Sequence, residues 1–127
     1  MPAKTTLESF YAAMGSGDVP AALELIDGEV EWVESAGFIY SGIFHGRDAV
    51  VDGVFARIGS EWDDFKAIPD YVVGDGERAV AVGTYSGTYK QTGKAFSARF
   101  AHSITAREGK IASFEQIVDS AQVNLAL

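Results

Sequence analysis

The chain has no cysteine and only two histidines, His45 and His102. A disulfide framework, a thiol nucleophile and a cysteine-based metal site are thereby excluded, and a multi-histidine metal site is disfavoured. Basic residues are scarce as well: 10 Lys and Arg stand against 18 Asp and Glu, for a net charge of -8 and a pI near 4.6. That field repels phosphate, so neither nucleic acid nor an anionic membrane surface is expected as a partner. No apolar run approaches the ~18 residues of a membrane span, and the opening MPAKTTLESF lacks the apolar core of a secretion signal. A cytoplasmic location is expected. The 127 residues suit a single domain, 1–127, of a size that buries roughly two-thirds of its unfolded surface.

What is present begins with helices. Thr5-Thr6-Leu7-Glu8 fits a capping box with Thr5 as the cap, and Leu7, Phe10, Tyr11 and Met14 follow at the spacing of one helical face. Asp18 is placed to cap a second, short helix with Pro20 in its first turn, closed by Asp27-Gly28. A strand follows in which Val30, Trp32 and Glu34 alternate with Glu29, Glu31 and Val33, so a carboxylate shares a face with an indole. Gly37 to Gly46 reads as irregular. A third helix is expected from Arg47 to Trp62, its straightness weakened by Gly53 and Gly59.

From Asp64 onward the pattern is strand. Asp75-Gly76, Thr92-Gly93 and Glu108-Gly109 punctuate four long β-rich runs as a meander, and Pro69, Gly83 and Gly87 are candidate bend or bulge positions. In the last hairpin Ala98, Phe100, His102 and Ile104 alternate with polar residues, which turns His102 toward the core. Its partner strand has two registers. A two-residue turn at Glu108-Gly109 sets Glu115 opposite His102. A three-residue loop, Arg107 to Gly109, with a bulge at Gly109 sets Ala112, Phe114, Gln116 and Val118 on the His102 face instead. The second is preferred because it buries an apolar set with one amide.

Three helices followed by such a sheet imply an α+β fold with the helices in the concave side of a strongly curved, mostly antiparallel sheet. Between Ala79 and Tyr89, Val80 and Val82 occupy one face and Ala79, Ala81, Tyr85 and Tyr89 the other. An outer face carrying such aromatics would be buried against a second copy, so a homodimer through the convex face is expected.

The segments FYAAMGSGD, DGEVEWVES, YSGIFHGRDAV and RFAHSITAREGKIASFEQIVD resemble the NTF2-like superfamily and its SnoaL-like, ketosteroid isomerase-related branch. The resemblance implies a cystatin-like conical barrel with an apolar pocket for a small hydrophobic or carbonyl-bearing molecule. It also implies isomerase, cyclase or dehydratase chemistry without a cofactor, or no catalysis at all. Ketosteroid isomerases carry a general-base aspartate on the first strand, and Glu34 falls there. Their oxyanion-hole tyrosine and aspartate fall on Phe10 and Ala101, with Tyr11 adjacent but on a different helical azimuth. SnoaL-type cyclases use a histidine and a last-strand aspartate, which fall on His102 and Gln116. The arginine of related epoxide hydrolases falls on Arg99.

Glu34 and His102 are therefore the catalytic candidates. A carboxylate facing an apolar cavity beside Trp32 acquires a raised pKa suited to proton transfer. Trp32, Tyr40, Phe44, Phe100, Gln116 and Tyr11 are the candidate ligand wall. Asp119 is placed either to cap the final segment or at the pocket mouth, and His45 to serve a surface or capping role.

Overall fold

A computed structural model describes residues 2–127. The first helix, α1 (Ala3–Gly15), buries Leu7, Phe10 and Tyr11 along the expected face, while Met14 is largely exposed. It starts ahead of the expected Thr5 cap: Pro2 is its N-cap, and no side chain among the described residues caps it. Proline has no amide to satisfy there. Thr6 donates its hydroxyl to the Pro2 carbonyl, and Glu8 turns outward to pair with Lys4. Asp18 does cap α2 (Val19–Glu24), accepting from the Ala21 amide at 3.2 Å. That helix ends before Asp27-Gly28, because Ile26, fully buried, already opens β1 (Ile26–Glu34).

The stretch expected to be irregular contains β2 (Gly42–His45), an edge strand antiparallel to β1 with Phe44 opposite Trp32. The third helix is not continuous. It runs as α3 (Arg47–Val50), a wide π-turn (Val51–Phe55) and α4 (Ala56–Glu61), and Trp62 belongs to the next strand. Gly53 sits in the π-turn beneath the Phe44 ring, where any Cβ would collide with it. The widened turn also swings Phe55 onto Trp32, ring centroids 5.5 Å apart.

Strands β3 (Trp62–Asp75), β4 (Arg78–Tyr89), β5 (Ala95–Arg107) and β6 (Lys110–Val118) form the meander. The sheet order is β2-β1-β6-β5-β4-β3, parallel only between β1 and β6. It curves around the N-terminal helices and stays open, with β2 and β3 as its edges. Ladder irregularities fall between Asp63 and Lys66 and between Pro69 and Tyr71, where extra residues let long strands coil. A short α5 (Ser120–Asn124) closes the described chain, and Asp119 caps it by accepting from the Gln122 amide.

The last hairpin combines both expected registers. Its turn has two residues, Glu108 (φ 54) and Gly109 (φ 76), with Arg107 opposite Lys110. The ladder then slips by one residue at Ala112, and from Thr105↔Ser113 onward His102 faces Gln116. The bulge lies inside the strand rather than in the turn. Ile111 consequently takes the buried place expected of Ala112.

One face assignment is reversed. Ala79, Ala81 and Tyr85 are buried on the concave side, and Tyr89 packs its ring 4.7 Å from that of Trp62. The pairs Ala79↔Ile104, Ala81↔His102 and Gly83↔Phe100 give the reason: small residues on β4 make room for large ones on β5. The outer face is apolar for a different reason. Tyr71, Val82, Ala101 and Ile117 form one row across β3, β4, β5 and β6, and Tyr71 and Ile117 are 53% and 57% exposed.

Candidate functional site

The strand pairing Trp32↔Phe114 and Val33↔Glu115 carries Glu34 alongside Gln116, and Gln116 lies opposite His102. Three neighbouring strands thus deliver a carboxyl, an amide and an imidazole to the same region of the concave face. All three are buried. Gln116 bonds neither Glu34 nor His102 directly: its Oε1 accepts from the Ser35 amide at 3.1 Å and its Nε2 donates at 3.1 Å to the hydroxyl of Tyr85, which in turn contacts His102. The Ser35 hydroxyl further donates to the Gln116 carbonyl at 2.6 Å.

His102 is bonded at both ring nitrogens. The Tyr11 hydroxyl lies 2.5 Å from Nδ1 and the Tyr85 hydroxyl 2.5 Å from Nε2. The azimuth of Tyr11 on α1, expected to turn it elsewhere, aims it at the imidazole because Phe10 takes the neighbouring slot against Trp32, 6.3 Å between centroids. Phe100 stacks on His102 at 4.2 Å and on Tyr85 at 4.4 Å. Burial in this aromatic shell pushes the His102 pKa down to about 3, so the ring is neutral at physiological pH.

Glu34 differs from every other acid in the described residues. Its Oε1 accepts from the Trp32 indole N–H at 3.1 Å, whereas its Oε2 is buried and has no partner among the described residues. Desolvation pushes its pKa up to about 8, partly offset by the indole hydrogen bond. A carboxyl poised there exchanges a proton near neutral pH. Trp32 is itself held flat against Phe114, rings 3.7 Å apart. Burial and the nearby Glu34 charge both hold the Tyr85 phenol well above its ordinary value.

Of the candidate residues, Glu34, His102, Trp32, Phe100, Gln116 and Tyr11 are brought together. Tyr40 is not. Its hydroxyl donates to Glu61 at 2.7 Å and accepts from the Trp62 indole at 2.9 Å, in a separate cluster covered by the Arg57 guanidinium. Phe44 is half-buried on the edge strand against Gly53. Arg99 points outward to Asp70 and Thr84. An open hollow between Glu34 and His102 was expected, but Tyr85 and Gln116 bridge that region. Two hollows of about 290 and 340 Å³ lie elsewhere, at Arg78 and Glu115 on the outer face and at Ser60 and Lys90.

Tyr85 and Ser35 were missed. The alternation Ala79, Ala81, Gly83, Tyr85 already placed Tyr85 on one face with three small residues, and the complementarity of those residues to His102 and Phe100 was the signal that the face turns inward.

The open curved sheet wrapped on N-terminal helices defines an NTF2-like fold. Among solved structures, an NTF2-like protein from Burkholderia thailandensis is 37% identical, with a TM-score of 0.94 over 99% of this chain and 97% of that one. TerC, crystallised with polyporic acid, is 24% identical with a TM-score of 0.86 over 99% and 98% of the two chains. A putative polyketide cyclase from Pseudomonas putida is 19% identical with a TM-score of 0.85 over 100% and 98%. The last two likenesses show the fold alone. No curated protein matches the sequence. The model of the SnoaL-like domain matches residues 7–114, and the chain belongs to that family. No helix among the described residues is long and apolar enough to cross a membrane.

Proposed function

We propose that this protein binds a small hydrophobic, carbonyl-bearing molecule in the concave face of its sheet and moves a proton on it through Glu34. An isomerase, cyclase or dehydratase step fits, with no metal or organic cofactor required. The observation that carries this reading is the unpartnered, buried Oε2 of Glu34. An orphaned carboxyl oxygen inside a protein costs about 1–3 kcal/mol or more, and a ligand that supplies its partner offsets that cost. With a pKa near 8 the group holds its proton or releases it within reach of neutral pH. His102 stays neutral and serves as a hydrogen-bonding hub, while Trp32, Phe100 and Phe114 supply apolar walls. The ligand-bound neighbour TerC supports small-molecule binding by this fold.

Exchange of the α-protons of indanone in deuterium oxide, followed by NMR, tests the reading. The protein accelerates exchange; Glu34→Gln lowers the acceleration by at least ~100-fold, the usual scale of a lost general base, with indanone affinity retained. Glu61→Gln leaves it unchanged. Equal exchange in wild type and Glu34→Gln removes Glu34 from the mechanism.

A second reading, a noncatalytic ligand-binding or dimerisation module, is favoured by the outer apolar row of Tyr71, Val82, Ala101 and Ile117. On either reading the protein pairs with a second copy through this convex face. Sedimentation velocity gives a dimer, and Ile117→Lys gives a folded monomer; a wild-type monomer at high micromolar concentration refutes the pairing.

A further inference from the structure

The outer face of the sheet carries its residues in an order that reads as its own complement from either edge. Across the six strands from β2 to β3, one row runs His45, Glu31, Ser113, Thr105, Arg78, Asp75. The row beside it runs Ile43, Val33, Glu115, Ser103, Val80, Val73. Folded about the line between β6 and β5, the first row sets Glu31 on Arg78, His45 on Asp75 and Ser113 on Thr105. The second sets Val33 on Val80, Ile43 on Val73 and Glu115 on Ser103. In the adjoining row Ile117 falls on Ala101, a large side chain on a small one.

The charges in these rows have no partners within one copy. Neither Arg78 nor Glu31 nor Glu115 belongs to an ion pair among the described residues. Glu31 and Arg78 stand three strands apart, about 14 Å at the usual ~4.8 Å spacing. They line one hollow of about 290 Å³, with Ser103 and Ser113 between them. Ile43 and Val73, at the two ends of the second row, are 63% and 55% exposed.

Two identical sheets packed face to face are related by a two-fold axis lying in the interface, so each row meets its own reversed order. Of the axes through these rows, the one along the β5–β6 boundary alone pairs opposite charges. Centred on β6, the axis sets Glu115 against the partner's Glu115; centred on β5, it sets Glu31 against the partner's Asp75. An axis running across the strands at these rows lays each charge on itself or on the valine beside it. Like-charge contacts and unpaired buried charges both oppose association.

We propose that this protein dimerises about a two-fold axis running along the β5–β6 boundary, with Arg78 of each copy seated in the hollow of the other against the partner's Glu31. Val33 on the partner's Val80 and Ile117 on the partner's Ala101 supply apolar contact, and the two crossed ion pairs fix the register. This inference rests on the convex-face pairing above and adds the residue through which each copy completes the hollow of the other.

Charge reversal followed by sedimentation velocity tests it. Arg78→Glu and Glu31→Arg each raise the dimer dissociation constant at least ~100-fold, because each homodimer then holds two like-charge contacts. Mixed in equal amounts, the two variants form a heterodimer in which both crossed pairs again carry opposite charges. The double variant Arg78→Glu/Glu31→Arg restores the homodimer for the same reason. Lys94→Glu, a charge reversal in the β4–β5 turn, leaves the dimer intact. Reversal variants that dimerise like Lys94→Glu overturn the register, as does a mixture of the two single variants that stays unpaired. A monomeric wild type overturns the convex-face reading itself, and the register falls with it.

Discussion

Two clusters in this protein are built from the same side chains and end in opposite states. At one end Trp62, Tyr40 and Glu61 form a closed circuit: the indole donates to the phenol, the phenol donates to the carboxylate, and Arg57 lies 3.6 Å from the carboxylate as well as over the phenol ring. In the concave face Trp32 donates to Glu34, and there the circuit stops, with Oε2 left over. Glu61 keeps about a third of its side chain exposed, whereas Glu34 is 5% exposed. The satisfied cluster fastens the Ser35–Ser41 connection to α4. The unsatisfied one retains bonding capacity that folding did not use, and the proposed ligand site rests on that difference.

The largest effect that sharpens this contrast is on stability against pH. Folded Glu34 holds its proton until about pH 8, while the unfolded chain releases it near 4.5. Between those values the folded state binds more protons, so stability falls as pH rises, by on the order of 1.4 kcal/mol per pH unit. His102 acts in the other direction: its value falls from 6.5 to about 3 on folding. The unfolded chain therefore binds more protons in that window, and stability is lost as pH drops from 6.5. From these two groups, urea unfolding shows a plateau between pH 4.5 and 6.5 with a fall on both sides. Glu34→Gln flattens the alkaline fall and makes the acid fall begin at about pH 6.5 instead of 4.5, because nothing then cancels the His102 slope. An alkaline limb of unchanged slope in that variant contradicts the assignment.

A smaller effect breaks the closed circuit. Tyr40→Phe leaves the buried Trp62 N–H and one Glu61 oxygen without their shared partner, which costs about 1–3 kcal/mol by denaturant unfolding and leaves indanone exchange intact. Loss of exchange in that variant would join the two clusters functionally. The smallest effect belongs to the outer face. Arg99 pairs with Asp70 while both side chains are more than half exposed, so Arg99→Ala changes stability by less than ~1 kcal/mol, and a larger loss in the same unfolding assay would mean that the pair is shielded from solvent.

Much of this was legible in the residues. Alternation around Trp32 and His102 assigned both to a buried face, and the glycine turns and Pro69 located the hairpins and one bulge. Other features were not local. The slip at Ala112 lies inside a strand with no glycine or proline to mark it, so the partner of His102 followed from the preference for burying Gln116 rather than from the turn. The face of Tyr85 was misread because alternation separates two faces without saying which is concave. That is settled by volume, since Ala79, Ala81 and Gly83 leave the space that Ile104, His102 and Phe100 fill.

The succession of N-terminal helices and a C-terminal meander, the acidic charge and the inward placement of Glu34 and His102 were determined by the sequence by itself, because propensity, charge and periodicity act over a few residues; the edge strand β2 and the π-turn were not. Which groups satisfy one another was decided only by the tertiary structure. Hydrogen bonds such as Tyr11 to His102 join residues 91 apart in the chain, and whether a buried oxygen finds a donor depends on side chains supplied by several strands at once. The unpartnered oxygen of Glu34 is a property of that assembly.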